Sequence, residues 1–330
     1  MWIMQAASRA GTFFLVSGFF LAPNLARAEY PEKPVTLVVP FVAGGPSDKI
    51  ARDVAESLRK TLGTTVVVEN TAGAGGTIGT ARVARANPDG YTLLVHHIGL
   101  ATAAALYKKL GYKNSDLEFL GLINEAPSTL IGKLALPPNN VAELRKFIVG
   151  NGGNLNLANA GVGSASHLCS LLLQSTLKSD MTLVPYKGTA PAMSDIMGGQ
   201  VDLMCEQATN STPQIEAKKV KAYGVTSPQR STVSALASIP TLSEAGLTGF
   251  NFTVWHGLYA PRGTPPVVLQ KINKALRAAL KDPALIKREE ALGITVVADD
   301  RLTPAGHKKF FDDEVNRWTK VIKDAGIQPE

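Results

Sequence analysis

Short apolar segments rich in β-branched residues alternate with amphipathic segments along most of the chain. The segment VTLVVP is followed by a predicted helix over residues 47–62. The apolar positions of that helix recur every four residues, as a single buried stripe would require: Ile50, Val54, Leu58 and Leu62. Two more strand-like segments, TTVVVEN and YTLLVHH, follow with a second helix between them. This alternation predicts parallel strands joined by crossover helices.

The alternation starts again after a Pro-Pro-Asn-Asn break at 137–140 and continues to KAYGVTS. The last third is helical apart from VWHGLYAP and ITVVA, and this is too little strand for a third core. We therefore expect the chain to return to the first domain. The pattern predicts an α/β protein with two lobes joined by a hinge: residues 29–125 plus 253–330 as lobe 1, and residues 126–252 as lobe 2.

Residues 1–28 have the pattern of a secretory signal peptide. Arg9 precedes an apolar run, TFFLVSGFFLA, which ends near the small-residue site Ala26-Arg27-Ala28. A membrane anchor is the alternative, but the run is shorter than the roughly 20 residues that a spanning helix needs. We expect cleavage after Ala28 and a periplasmic location.

Charge and composition argue against a nucleic-acid partner. The full chain carries 34 Lys and Arg against 27 Asp and Glu, and its net charge of +7 falls to +5 when Arg9 and Arg27 leave with the leader. Aromatic residues are only 6% of the chain, and no basic run is longer than two residues.

The chain has two cysteines, Cys169 and Cys205. Outside the cytoplasm a disulfide between them would persist. Both lie in apolar segments, SHLCSLLLQ and VDLMCEQ, where they could equally be small buried side chains. A bridge and two free thiols both remain open, because the pattern does not show whether the Cβ atoms face each other.

The stretch AGGPSDKIAR places two glycines where the first strand becomes the first helix. Unpaired backbone N–H groups at a helix start favour an anion, and the helix dipole adds on the order of 0.3 to 2 kcal/mol. We expect Ser47 or Asp48 to cap this helix. No Lys-Ser/Thr pair follows the glycines, so a Walker loop is excluded. A tight turn that binds no ligand is the alternative for the isolated pattern.

A second loop of the same kind occurs in NLNLANAGVGSASHLC, residues 154–169. Here Gly161 and Gly163 follow a strand-like segment, and Ser164 and Ser166 open an apolar helix. Ligands in open α/β sheets bind beyond the carboxyl ends of the strands. Two such loops, one in each predicted lobe, could therefore hold the two ends of a dianion.

Two patterns of glycine and serine resemble known functional motifs but do not match them. GAGGTIG, residues 73–79, has one residue more than a dinucleotide fingerprint, so we interpret it as a structural turn near the cleft. Ser164 and His167 could form a nucleophile and base, but G-x-S-x-G is absent and a histidine at this place more often packs or caps. We expect no enzymatic activity.

The sequence also indicates that neither a metal nor a cofactor is bound. The five histidines form no H-x-x-x-H pair. Adjacent His96 and His97 should point to opposite faces of their strand, which argues against a shared metal.

Further candidates lie at VPYKGTAP and VWHG. Lys187 could steer anions, although an exposed lysine is usually only a solvated charge. Trp255 and His256 lie where the chain returns to the first lobe. They could form a wall of the cleft or a buried aromatic pair at the hinge.

The ordered motifs together resemble the Bug family, also called TctC-like or tripartite tricarboxylate transporter substrate-binding proteins. They are YPEKPVTLVVPFVAGGPSD, VVVENTAGAGGTIGTARVARANPDGYTLL, NAGVGSASHL, VPYKGTAPAMSDIMGGQVDLM and GLYAPRGTP, and the resemblance covers the chain after the leader. It implies a type II periplasmic binding-protein fold that closes on a small carboxylate and delivers it to integral-membrane transporter components. A ligand-sensing receptor for a signalling partner is the alternative. We expect a monomer.

The resemblance also implies a set of ligand-binding residues. In the first predicted lobe they are Phe41, Gly45, Ser47, Asp48 and His97. In the second they are Asn159, Gly163, Ser164, His167, Gly188 and Thr189. Asp48 is expected to orient a backbone amide, a hydroxyl or water rather than touch the anion, because like charges repel.

The chain departs from the family pattern at Pro46-Ser47, where many members have Gly or Ala and then Thr. Proline removes one backbone donor at the predicted anion site. This favours a ligand larger or flatter than a short aliphatic diacid. Cys169 and Cys205, with Glu206-Gln207 following, look similar to a subset that includes terephthalate-binding members. An aromatic dicarboxylate such as terephthalate is therefore the leading ligand prediction.

Overall fold

The structure is a computed structural model that describes residues 2, 30–324 and 326–329. The predicted signal peptide lies outside the described residues apart from Trp2, so its cleavage stays a prediction. The fold lies in the unit Pro31–Glu330. Among the described residues, no helix combines the length and apolar character needed to cross a bilayer.

The N-terminal part builds three parallel strands with helices between them. In chain order these elements are β1 (Val35–Val39), α1 (Pro46–Leu62), β2 (Val66–Asn70), α2 (Thr77–Ala84), β3 (Thr92–His97) and α3 (Gly99–Leu106). Strand β1 lies between β2 and β3. The predicted stripe of α1 is buried, and Gly63 ends the helix at a φ of 70°.

Strand β4 (Leu117–Gly132) runs through the whole sheet, and the alternation of the sequence does not predict it. It pairs antiparallel with β9 as far as Pro127, and from Ser128 onward it pairs with β7 and β8. Most of its residues are buried on both faces, so the period-two alternation of a half-exposed strand is missing.

The central part repeats the first pattern. It contains α4 (Val141–Asn151), β5 (Asn156–Asn159), α5 (Ala165–Leu177), β6 (Thr182–Pro185), α6 (Thr189–Met197), β7 (Leu203–Gln207), α7 (Ala208–Glu216) and β8 (Lys221–Val225). Strand β5 pairs in parallel with β6 and β7. A disulfide joins Cys169 on α5 to Cys205 on β7, with their Cα atoms 6.0 Å apart. It fixes α5 against the sheet.

The C-terminal part packs against the N-terminal elements. It contains β9 (Thr253–Pro261), α8 (Pro266–Ala279), α9 (Pro283–Glu290), β10 (Thr295–Val296) and α10 (Pro304–Asp324). Strand β9 pairs with β3 and β4, helix α8 packs on α1, and α10 packs on α3 and β4. The strands follow the order β2-β1-β3-β9-β4-β7-β5-β6.

The pairing defines two strand groups. The first strand group is β1–β3, β9, β10 and β4 up to Pro127. The second strand group is β5–β8 with Ser128–Gly132 of β4. The carboxyl ends of the parallel strands in both groups border one cavity.

Candidate functional site

A cavity of about 510 Å³ lies where loops from the two strand groups meet. The first group contributes the loops after β1 and β2 and the end of β3; the second contributes the loops after β5 and β6 and the end of β7. Seven of the predicted ligand-binding residues line this cavity: Phe41, Gly45, Ser47, His97, Ser164, Gly188 and Thr189. The remaining four, Asp48, Asn159, Gly163 and His167, are not among its lining residues.

The loop after β1 brings the amino terminus of α1 to the cavity. Gly45 occupies the cap position without a side-chain cap, and Pro46 is the first helical residue. The prediction that Ser47 or Asp48 caps the helix is therefore wrong, because both lie inside its first turn. Pro46 lines the cavity and supplies no N–H donor there.

Asp48 holds this loop in place from behind. Its carboxylate accepts hydrogen bonds from the Gly44 N–H at 2.9 Å and from the Asn70 amide at 3.0 Å, and it pairs with Arg52. Burial raises the pKa of Asp48, but the hydrogen bonds and Arg52 outweigh it and leave the pKa below its ordinary value. Asp48 thus stays ionised and orients backbone amides, as the sequence argument expects.

The loop after β5 is held in a similar way. Asn159 is buried, and its side-chain oxygen accepts from the Gly161 N–H at 3.0 Å. Gly161 and Gly163 adopt φ values of 107° and 77°, which favour glycine. Ser164 caps α5 by accepting from the His167 N–H at 3.2 Å. Asn159 therefore shapes the loop, and Ser164 both caps the helix and lines the cavity.

His167 supports this loop with its ring. Its Nδ1 accepts from the Gly163 N–H at 3.4 Å, and the hydroxyl of Ser164 lies 3.1 Å from that of Ser166. Burial lowers the pKa of His167 to about 4. No hydrogen bond joins its ring to Ser164 among the described residues, so the pair has no nucleophile-and-base geometry.

The glycine loop 73–76 also lines the cavity. A Cβ on Gly75, where φ is 60°, would collide with the carbonyl oxygen of Val162 and would lie 2.6 Å from the Tyr107 hydroxyl. Tyr107 in turn donates a hydrogen bond to that carbonyl at 2.9 Å. The interpretation of these glycines as a turn near the cleft was too narrow, since the turn also forms part of the wall.

Phe41 and His97 form an aromatic wall. Their rings stack with centroids 4.2 Å apart and planes 20° apart, and the His96 ring meets Phe41 edge-on at 5.2 Å. The two histidine rings are only 5.1 Å apart, so the expectation that they lie on opposite faces is wrong. His97 is the last residue of the strand, so its ring need not follow the alternation of faces that holds for residues within the strand. Burial lowers both pKa values, and both rings are neutral.

A buried chain of hydrogen bonds stands behind Ser47. Its hydroxyl lies 2.9 Å from His256 Nε2, and His256 Nδ1 lies 3.1 Å from the side-chain oxygen of Asn124. The amide of Asn124 donates to Glu289 Oε2 at 2.8 Å. Because an amide oxygen only accepts, His256 must carry its proton on Nδ1 and accept from the Ser47 hydroxyl. The lone pairs of Ser47 then face the cavity.

This chain looks like a catalytic relay, but it is a poor one. Burial lowers the pKa of His256 to about 3, so its ring is too weak a base to take the serine proton at neutral pH. An amide, and not a carboxylate, orients the imidazole. His256 itself does not line the cavity, and Trp255 is buried and donates to Glu314. Of the two alternatives for these residues, the wall of the cleft is therefore wrong, and both side chains are buried.

Glu206 and Gln207 at the end of β7 line the cavity but are absent from the predicted ligand-binding residues. Both are buried. Burial raises the pKa of Glu206 to about 8, although Thr189 and the backbone of Gln207 favour its ionised form. The position was hard to foresee, because both residues end a strand that is otherwise apolar and buried.

The lining holds few charged side chains. Lys187 is an exposed cation at the rim, and no arginine lines the cavity. Within the part of the chain that the structure describes, no group of three or more His, Cys, Asp or Glu side chains could hold a metal ion. The polar lining thus consists chiefly of hydroxyls, an amide and one buried carboxyl, which suits a small polar ligand.

The fold is that of periplasmic binding proteins. The structure entitled periplasmic binding protein BugD superposes with a TM-score of 0.86 at 49% identity, covering 91% of this chain and 100% of that one. MatC from Rhodopseudomonas palustris with bound malate gives 0.84 at 40% identity, covering 89% and 100%. R. palustris Rpa4515 with adipate gives 0.85 at 31% identity, covering 92% and 100%.

Residues 50–327 match the family described as Tripartite tricarboxylate transporter family receptor, TctC. The match spans most of the chain, and the chain belongs to this family. It is thus a solute-binding receptor of the TctC and Bug type, as the resemblance of its motifs implies.

Proposed function

We propose that this protein is a periplasmic receptor that captures a small dicarboxylate between two lobes and delivers it to a membrane transporter. The observation that carries the proposal is the cavity itself, which is walled by glycine loops from both strand groups. The amino termini of α1, α5 and α6 reach it through Gly45, Ser164 and Gly188. Helix amino termini and hydroxyls together can bind a carboxylate without arginine.

The predicted lobe boundaries agree with the strand pairing. The chain crosses between the strand groups twice, where Glu125 of β4 lies opposite Trp255 and Pro127 lies opposite Thr253. We propose this double crossing as the hinge, with residues 29–125 plus 253–330 on one side and 126–252 on the other. Bending there would open the cavity, and ligand contacts from both sides would favour the closed form.

The contacts across the cavity support closure. The Tyr107 hydroxyl reaches from α3 to the carbonyl of Val162 in the loop after β5. A Cβ on Gly188 would lie 2.5 Å from Cγ2 of Val42, so these two loops are also in close contact. The structure corresponds, on this proposal, to the closed form of the receptor.

Terephthalate is the leading candidate within the dicarboxylate class. The stacked rings of Phe41 and His97 offer a flat apolar surface for an aromatic ring, and Pro46 removes one donor from the first loop. The relatives with bound malate and adipate make aliphatic dicarboxylates the main competitors. The lone pairs of Ser47 would suit a ligand hydroxyl, which malate has and terephthalate lacks.

A thermal-shift screen tests the proposal. Malate, adipate, terephthalate and mono- and tricarboxylates would be added to the mature protein, and a ligand at 100 times its Kd should stabilise it by about 2.7 kcal/mol. If no carboxylate raises the melting temperature, the proposed function is wrong. Recovery of unchanged ligand after binding separates a receptor from a hydrolase. Capture of membrane proteins with and without ligand separates transport from signalling.

The site is tested by one pair of isosteric substitutions. Thr189→Val removes a buried hydroxyl that lines the cavity and donates to Glu206, and a neutral hydrogen bond is worth about 0.5 to 1.5 kcal/mol, so Kd should rise about twofold to tenfold. Thr212→Val makes the same change in a buried threonine of α7 outside the lining, and Kd should stay the same. Equal effects of the two substitutions would contradict the assignment.

A further inference from the structure

One buried carboxyl in the cavity, that of Glu206, has an oxygen that none of the contacts described so far uses. Glu206 is 2% exposed, and its Oε2 atom has no hydrogen-bond partner among the described residues. The backbone of Glu206 lies opposite Thr129 in the ladder between β7 and β4, so the side chain is held by a central strand. A buried polar atom without a partner is rare, and Glu206 is one of the residues that line the ligand cavity.

An ionised Glu206 would oppose the proposed ligand. A buried carboxylate would repel a dicarboxylate, and the surrounding lining offers no arginine to screen it. A neutral carboxyl has the reverse effect, because its O–H is a donor to an anion. Hydrogen bonds of this charge-assisted type are short and about twice as strong as neutral ones.

Building on the proposed carboxylate-binding function, we propose that Glu206 binds the ligand as a neutral acid, donating its O–H to a ligand carboxylate oxygen. Binding then takes up one proton whenever Glu206 is ionised in the free protein. The ligand keeps its charge, and no covalent bond changes. Glu206 is thus a specificity-determining residue that distinguishes a ligand anion from a ligand donor such as an ammonium group.

Protonation of Glu206 near neutral pH agrees with this role. Burial raises its pKa to about 8, so most molecules hold the proton at pH 7. Three other titratable side chains line the cavity. Burial lowers the pKa of His97 far below neutral, the pKa of Tyr186 is raised to about 12, and Lys187 is an exposed cation.

The helices packed against β7 bring ionisable groups of their own. They are His167 on α5, Asp195 on α6 and Glu216 on α7. The ring of His167 is bound to the Gly163 N–H, Asp195 accepts from the Tyr186 hydroxyl at 2.7 Å, and Glu216 is exposed. Burial, and not one of these charges, is the main cause of the raised pKa of Glu206.

The test is the pH dependence of Kd, measured by calorimetry for malate, adipate and terephthalate. The wild-type Kd should be about tenfold higher at pH 9 than at pH 7, because the competent neutral form is lost above pH 8. Titrations in two buffers of different ionisation enthalpy should show uptake of about 0.8 of a proton at pH 8.5. These two measurements need no variant.

Substitutions assign the effect to one side chain. Glu206→Gln keeps a donor of similar shape but cannot titrate, so it should bind with a Kd that is constant from pH 7 to pH 9 and without proton uptake. Glu216→Gln, on the exposed surface of α7, should behave as wild type. Lys187→Gln should show the same change of Kd with pH as the wild type. That result would exclude Lys187 as the cause of the pH dependence.

The outcomes separate this inference from the proposed function. If none of the three carboxylates binds at any pH, the proposed function fails. If one binds but the wild-type Kd is constant with pH, or Glu206→Gln keeps the wild-type slope, the role of Glu206 is wrong. A Kd that falls as pH rises would show an ionised Glu206 accepting from the ligand, and would overturn the inference.

Discussion

The hydroxyl of Tyr107 joins loops on opposite sides of the cavity. Tyr107 follows α3 in the first strand group's part of the chain, and Val162, whose carbonyl accepts the bond at 2.9 Å, lies after β5 in the other. If the lobes separate in the free receptor, as we propose, this bond breaks. The hydrogen bond therefore stabilises only the closed form, and its removal should weaken ligand binding.

Tyr107→Phe should raise Kd about fivefold. The lost hydrogen bond is worth about 0.5 to 1.5 kcal/mol, and 1 kcal/mol corresponds to about a fivefold change in Kd. The ring that packs against Gly163 remains, so little else should change. Calorimetry with the dicarboxylate found by the thermal-shift screen gives Kd. Stopped-flow dissociation should show that most of the change lies in a faster off-rate.

Tyr223→Phe is the matched control. The hydroxyl of Tyr223 is buried and donates to the carbonyl of Pro138 at 3.0 Å, and neither residue lines the cavity. Its removal should lower the free energy of unfolding by about 1 kcal/mol and leave Kd unchanged. An unchanged Kd for Tyr107→Phe would refute the closure argument. An equal loss of affinity in both variants would indicate general destabilisation instead.

Three further perturbations test other parts of the structure. Gly188→Ala should weaken binding about tenfold, because a side chain at its φ of 117° strains the backbone and presses on Val42. Adding Val42→Ala should restore part of the affinity, and calorimetry that shows no rescue would contradict this. Replacing Cys169 and Cys205 by serine should lower the free energy of unfolding by about 4 kcal/mol, because the disulfide closes a loop with a sequence separation of 36 residues. Urea unfolding measures this difference. Equal stability of the wild type and the serine variant would show that the disulfide constrains the unfolded chain little. Burial lowers the pKa of all five histidines, so the folded state binds fewer protons than the unfolded chain below pH 6.5. The free energy of unfolding should therefore fall as pH falls, by about 1 kcal/mol per histidine between pH 7 and pH 5.5. The raised pKa values of Glu206 and Glu289 act in the opposite direction and offset about half of this loss; a melting temperature that rises on acidification to pH 5.5 would refute the balance.

The two glycine loops could be predicted because their signals are local. A glycine pair after an apolar strand, followed by serine and a helix, determines a strand-to-helix turn within about ten residues. Gly45, Ser47 and Ser164 line the cavity for this reason. The same local signal does not show which way a side chain points. Asp48 and His167, which lie in the same motifs, face the backbone of their own loops and not the cavity.

The contacts that the sequence did not reveal are brought about by distant strand pairing. His256 reaches Ser47 across 209 residues only because β9 lies beside β3. Glu206 borders the cavity because β7 lies between β4 and β5. Strand β4 itself escaped prediction, since a strand buried on both faces lacks a polar alternation and Pro127 interrupts its pattern.

The sequence by itself determined the α/β alternation, the two glycine loops at helix starts and the family, because each depends on residues close together in the chain. The tertiary structure alone decided how those loops face each other, which carboxyl is buried in the cavity, and that Ser47 donates its proton to His256 and presents lone pairs to the cavity. Burial and strand order set these properties, and both arise from residues that are distant in the chain: His256 lies 209 residues from Ser47, and Glu206 pairs with Thr129 on another strand. The strongest example is Glu206, an ordinary glutamate in the sequence whose pKa of about 8 is a consequence of the fold.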